Sequence, residues 1–164
     1  MLKLQLNAEL LYKTQGGIIM SAHTWHNYGY GICINELTIE SVDRVEKLLS
    51  LAPKFRDKVH SHFEKLGISN SNVDDYDEYD DEYCLGFATI LYEVIKEAEG
   101  IEFLPCEDYY CCRYLIYPPN YPWRIDETDL SLTEDRIKEI LNKYVSIITD
   151  SPIEIGYESV ENGG

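Results

Sequence analysis

The chain has 164 residues, enough for one domain with a sizeable core. Its 30 acids against 14 bases give a net charge of −16, a field that repels nucleic acid and anionic membranes and attracts basic protein surfaces. No apolar run approaches the roughly 20 residues that cross a bilayer as a helix, and residues 1–19 lack the basic region and continuous apolar core of a secretory signal. A cytoplasmic protein is the expectation.

Residues 1–19 read as a translated leader or a disordered extension. Gln15-Gly16-Gly17-Ile18-Ile19-Met20 can be back-translated into a ribosome-binding sequence a short spacer before a start codon, which would make Met20 the native start. The other reading is an N-terminal strand or helix built on Leu2, Leu4, Leu6, Leu10 and Leu11. Residues 20–160 then form a single α+β domain, and residues 161–164 a frayed tail.

The first strand of that domain is expected over Tyr28–Ile34, with Tyr28, Tyr30, Ile32 and Ile34 on one face and Gly29, Gly31 and Cys33 on the other. Small residues on the second face mean that a neighbour packs close. A helix over Ile39–Ala52 carries Val42, Val45, Leu48 and Leu49 at helical spacing. Pro53 ends it and opens a second helix with Phe55, Val59, Phe63 and Leu66, closed by Gly67.

The segment from Asp74 to Gly100 is the most unusual. Seven carboxylates lie between Asp74 and Glu82, interleaved with Tyr76, Tyr79 and Tyr83. Those tyrosines continue at steps of three and four into Phe87, Ile90, Leu91, Val94 and Ile95. One reading is a long helix from Asp74 or Asp80 whose first turns form a tyrosine-striped acidic ridge. The other is an acidic loop leading into a shorter helix from about Glu82.

After Gly100 the period changes. Ile101–Leu104 and Tyr109–Tyr117 read as two strands of a hairpin joined by Pro105–Asp108. Pro118–Trp123 is a proline-stiffened loop. A last helix spans Glu134–Ile148, capped by Thr133, with Leu132 and Ile137 as its hydrophobic staple. Alternation over Ile153–Tyr157 marks a final strand. The order β-α-α-α-β-β-α-β implies a mainly antiparallel sheet of about four strands with helices on one face.

Motifs for chemistry are weak. An EF-hand loop counted from Asp75 puts Asp80 and Gly86 where a glycine and a glutamate are required, so calcium is not expected. Of the five cysteines (Cys33, Cys84, Cys106, Cys111, Cys112), a zinc site could draw on Cys106, Cys111 or Cys112 with His23 and His26, but their spacing is not a finger pattern. Adjacent Cys111 and Cys112 should face opposite sides of a strand, so free thiols are expected. A nucleophilic Cys33 or Cys112 beside His26 needs an electropositive setting that this charge denies. No phosphate-loop, dinucleotide or nucleophile-elbow motif occurs. No metal, cofactor or catalytic residue is expected, and a non-enzymatic protein is favoured.

The leading functional reading is therefore a partner surface. Asp74, Asp75, Tyr76, Asp77, Glu78, Tyr79, Asp80, Asp81 and Glu82 would present charge and flat rings together, as phosphates and bases do, to a basic protein groove. In its most concrete form this is a nucleic-acid mimic (a DNA mimic) that inhibits a host nuclease, of the anti-restriction or anti-CRISPR type. The alternative, from another class, is a small-molecule-binding module or small enzyme with an aromatic-lined site at the sheet face near Tyr28, Tyr30, Tyr117, Tyr121 and Trp123.

Three stretches, Tyr28–Cys33, Leu115–Trp123 and Ser159–Gly164, resemble small acidic proteins carried by bacterial phages and integrative mobile elements. The resemblance spans Met20 to the C-terminus and carries no catalytic residue across. It implies only a context in which acidic inhibitors of host nucleases are common cargo.

Overall fold

Gly29 and Gly31 decide where the main sheet closes. The computed structural model describes residues 10–13, 19–22, 24–79, 85–117 and 132–163. Within it, the glycine-bearing strand β3 (Thr24–Cys33) lies between β5 (Arg113–Tyr117) and β6 (Gly156–Gly163). The fourth strand, β4 (Leu104–Glu107), pairs with β5, giving the antiparallel order β4-β5-β3-β6. A Cβ on Gly31 would lie 2.0 Å from the Leu115 carbonyl oxygen, so this strand pair needs a bare backbone at that position. A separate hairpin pairs β1 (Leu10–Lys13) with β2 (Ile19–Ala22).

Among the described residues, β3 leads into a 3-10 turn at Ile34–Glu36, and four longer helices and one five-residue helix connect these strands. They are α1 (Val42–Leu49), α2 (Pro53–Leu66), the five-residue α3 (Val73–Asp77), α4 (Phe87–Glu99) and α5 (Glu134–Ile148). Each boundary has a local cause. Ser41 and Thr133 accept hydrogen bonds from the backbone N–H of Arg44 and Arg136 as N-caps. Pro53 starts α2, and Gly67 (φ 74°) and Gly100 (φ 70°) end α2 and α4 in the left-handed region. The apolar stripes then meet one face of the sheet, where Ile32, Leu115 and Tyr117 join Val45, Leu48, Ile95 and Leu141 in one core. Among the described residues, the opposite face carries a small cluster of Cys106, Ile116 and Val160 with Leu104 and Tyr114 packed against it. This is the α+β arrangement expected from the sequence, a four-stranded antiparallel sheet with helices on one side.

Several expectations need correction. The acidic segment is not one long helix. Asn72 and Asp75 form a reciprocal capping box that starts α3, which ends at Asp77, and α4 begins only at Phe87. The loop reading is nearer, although it missed the α3 turn and set the helix start too early. Pro105, expected in a turn, stands within β4, where an edge strand tolerates the missing N–H. The turn lies instead at Asp108–Cys112, because the Asp108 carboxylate accepts from the backbone N–H of Tyr110 and Cys112. Cys111 and Cys112 therefore sit in that turn, Cys111 at φ 62°, rather than on a strand. The first helix is shorter than expected because Ser41 caps it and Ser50–Ala52 form a turn. The last strand, expected over 153–157, runs over Gly156–Gly163.

Two carboxylates tie α5 to the rest. Arg44 donates to both Asp150 oxygens, at 2.7 and 2.8 Å, and from Nε to the Ile147 carbonyl at the end of α5. Glu99, at the end of α4, accepts from Lys143 at 2.6 Å and from the Tyr144 hydroxyl at 2.8 Å. These donors hold both carboxyls below their ordinary range, Glu99 chiefly through Lys143 and Asp150 through Arg44. A lowered folded-state value means stability that is present above the ordinary carboxylate range and lost as pH falls through the lowered one. Thermal melts should therefore be flat from neutrality to about pH 4.5 and fall below it. A Glu99→Gln/Asp150→Asn double variant should melt lower at neutral pH and show a shallower acid limb.

A candidate aromatic ligand shelf

The row of tyrosines on the sheet follows from strand register. Tyr30 stands opposite Tyr117 on β5 and opposite Tyr157 on β6, so the three share one face in a line across the sheet. It is the helix-facing side, and the helices cover only part of it. Tyr117 is buried and packs edge-on against Phe103, Tyr30 is half-buried, and Tyr157 at the far end is exposed. One step along β3, Tyr28 stacks against Tyr157 with ring centres 5.6 Å apart and planes within 7°. Tyr30 meets the same ring edge-on at 5.1 Å. Tyr28 and Tyr157 keep 43% and 55% of their surface open, which makes them the wet end of an aromatic row that runs through half-buried Tyr30 to buried Tyr117.

Polar groups fix the shelf. The Tyr157 hydroxyl donates to Glu134 in the first turn of α5, a bond that raises the phenol above its ordinary range. Beside Tyr28, His26 Nε2 and the Ser159 hydroxyl are hydrogen-bonded across β3 and β6. The result is two stacked rings on a paired backbone, bordered by a carboxylate, an imidazole and a hydroxyl.

Of the aromatic site read from the sequence, Tyr28, Tyr30 and Tyr117 fall on this one face. Tyr121 and Trp123 lie outside the described residues. Tyr157, Glu134, His26 and Ser159 were missed as site residues. Tyr157 had a signal, the alternation over Ile153–Tyr157, but its neighbour on β3 depends on register.

The acidic segment is arranged differently from the expected ridge. Tyr76 and Tyr79 are 1% and 2% exposed and pack edge-on against Phe63. Burial, and then the bond to Glu46, push the Tyr76 phenol up to about 12. Their helical periodicity marked a buried face, and the rings are not displayed beside the acids. Asp75 closes the α3 capping box, and Asp77 pairs with Arg113 at 2.7 Å. Asp74 and Glu78 are exposed, while Asp80, Asp81 and Glu82 lie outside the described residues.

Arg113 and Gly86 finish the junction between α3 and α4. The Arg113 guanidinium donates to both the carboxylate and the backbone carbonyl of Asp77. Gly86 stands at φ 52° and ψ −121° against that carbonyl.

Cys33, Cys106, Cys111 and Cys112 are free thiols. Burial raises Cys33, Cys112 and, to about 12, Cys106, so these sulfurs stay protonated near neutrality. Among the described residues no group of three or more His, Cys, Asp or Glu side chains is placed to hold a metal ion, and no helix is long and apolar enough to cross a membrane. No protein-family model, curated protein or solved structure matches the chain.

Proposed function

We propose that this protein is a binding module whose ligand is a small planar molecule, uncharged or cationic, laid on the Tyr28–Tyr157 shelf. The observation that carries the reading is the pair itself: two parallel, half-open phenol rings anchored on adjacent strands. Rings held this way lose little freedom when a ligand stacks on them. Exposed aromatics on a sheet also suit single-stranded nucleic acid, but a net charge of −16 opposes a polyanion. The same field, together with Glu134 at the rim, favours a cation over the faces of the rings.

The test is a fluorescence titration with N-methylquinolinium, a planar cation, against quinoline, its uncharged analogue at neutral pH. The cation should bind more tightly. Tyr157→Ser should weaken it about tenfold, in line with the worth of one stacked ring, with little change in melting temperature because Tyr157 is exposed. Equal binding by the variant rejects the shelf.

A second reading keeps the acidic segment as a surface for a basic protein, such as a nucleic-acid-handling enzyme. The net charge and the exposed Asp74 and Glu78 support it. Burial of Tyr76 and Tyr79 takes those two rings out of the mimicry.

A further inference from the structure

A concave groove lies away from the sheet, between α1, α2 and the loop leading into α3. It is a groove of about 500 Å³, within the size range of small-molecule clefts. Val42, Phe63 and Ile68 give it apolar walls, and Glu46, His60 and Tyr76 also line it.

The hydrogen bonds in this groove fix which groups remain for a ligand. Tyr76 donates its hydroxyl to Glu46 Oε1 at 2.6 Å, and His60 Nε2 lies 2.8 Å from the same oxygen. Burial pushes the Glu46 carboxyl up, but these two bonds outweigh it and hold the group below its ordinary range. An ionised carboxylate only accepts, so His60 Nε2 carries a proton and donates it to Glu46. Tyr76 has spent its proton on Glu46, so Ser71, 3.1 Å away, donates to the phenol oxygen. The chain of donors thus runs inward, from Ser71 to Tyr76 to Glu46 and from His60 to Glu46.

What this leaves is acceptors. Glu46 Oε2 has no hydrogen bond among the described residues, and the exposed Glu64 carboxylate stands at the rim. The Glu46 side chain keeps 33% of its surface open, so a ligand can reach it. An anion would find two carboxylates and no free cation among the residues that line the groove. A protonated amine with an apolar body would find acceptors at one end and Phe63, Val42 and Ile68 at the other.

We infer that this groove binds a small organic ammonium ion, with Glu46 as its counter-ion and the Val42–Phe63–Ile68 wall against its hydrocarbon part. Tyr76 and His60 act on the ligand only through Glu46, by orienting its carboxylate. The site is independent of the Tyr28–Tyr157 shelf.

The experiment is an NMR titration of the full chain with benzylamine, and with benzyl alcohol as the uncharged probe of similar shape. Benzylamine should shift the backbone signals of Val42, Ile68 and Ser71. Glu46→Gln should weaken it about tenfold, since the amide keeps the shape and an acceptor for Tyr76 but loses the charge. Asp57→Asn, which removes a charge from an exposed part of α2 outside the groove, should leave affinity unchanged. Ser69→Lys puts a cation at an exposed lining position and should also weaken binding at least tenfold; it decides the matter should Glu46→Gln fail to fold. Equal losses in the Glu46 and Asp57 variants would mean attraction by the general field and overturn the site. So would equal affinity for the alcohol, or shifts confined to Tyr28 and Tyr157.

Discussion

Gly31→Ala should destabilise the fold by about 3 kcal/mol, the upper end of what overpacking costs. The added methyl would stand 2.0 Å from the Leu115 carbonyl oxygen and 2.7 Å from the Ile116 Cα. Both contacts are backbone, so no side chain can turn away to relieve them. Strands β3 and β5 would have to separate where Ile32 and Leu115, both fully buried, lie beside one another in the core. The next pair along β3 is Tyr30 with Tyr117, and the tyrosine row should lose its alignment with it. Urea unfolding read by near-ultraviolet circular dichroism measures both effects, the midpoint giving stability and the aromatic signal giving the row. A change within about 0.5 kcal/mol, the range of ordinary surface substitutions, would contradict the strand geometry.

Gly86→Ala should cost a similar amount, about 3 kcal/mol, for two added reasons. At φ 52° a Cβ is intrinsically unfavourable. It would also approach the Asp77 carbonyl oxygen to 2.0 Å and Arg113 Nη1 to 2.6 Å. The two contacts can be separated by experiment. Arg113→Ala removes the guanidinium and leaves Asp77 unpaired, a loss of about 2 kcal/mol by itself for a charge-assisted pair. It cannot remove the backbone clash. A Gly86→Ala substitution made in the Arg113→Ala background should therefore still destabilise strongly in urea unfolding. Near-neutral behaviour in that background would place the whole penalty on the arginine and contradict the backbone contact.

The sequence made the helical half of this molecule readable because its signals are local. Pro53, Gly67 and Thr133 act within one turn of themselves, and the stripes of α2 and α5 follow one period throughout. The sheet was readable as a strand count and an antiparallel pattern. Its last member was displaced, since Gly156–Gly163 is mostly glycine, glutamate, serine and asparagine and reads as polar tail until β3 is placed beside it.

The acidic tract misled for a different reason. Periodicity put Tyr76 and Tyr79 on an apolar face, while the surrounding carboxylates suggested display. Burial won because Phe63 and Phe55 on α2 stand where those rings turn inward. The acids meanwhile took separate tasks, one in a cap and one on Arg113.

The shelf was half visible. Tyr28 and Tyr30 alternate on one strand, but their stacking partner Tyr157 lies far along the chain and is chosen by register. The same holds for the Glu46 network, whose members Glu46 and Tyr76 are 30 residues apart, and for Arg113 with Asp77, 36 apart. Contacts set by tertiary packing leave no spacing to read.

Intermolecular nuclear Overhauser contacts between N-methylquinolinium and the protein test the proposed function most directly, because they report where the ligand lies rather than how tightly it binds. Contacts from the quinolinium ring protons to the ring protons of Tyr28 and Tyr157, lost in Tyr157→Ser, are the predicted result. Contacts only elsewhere, or none at concentrations that saturate the fluorescence change, would contradict it.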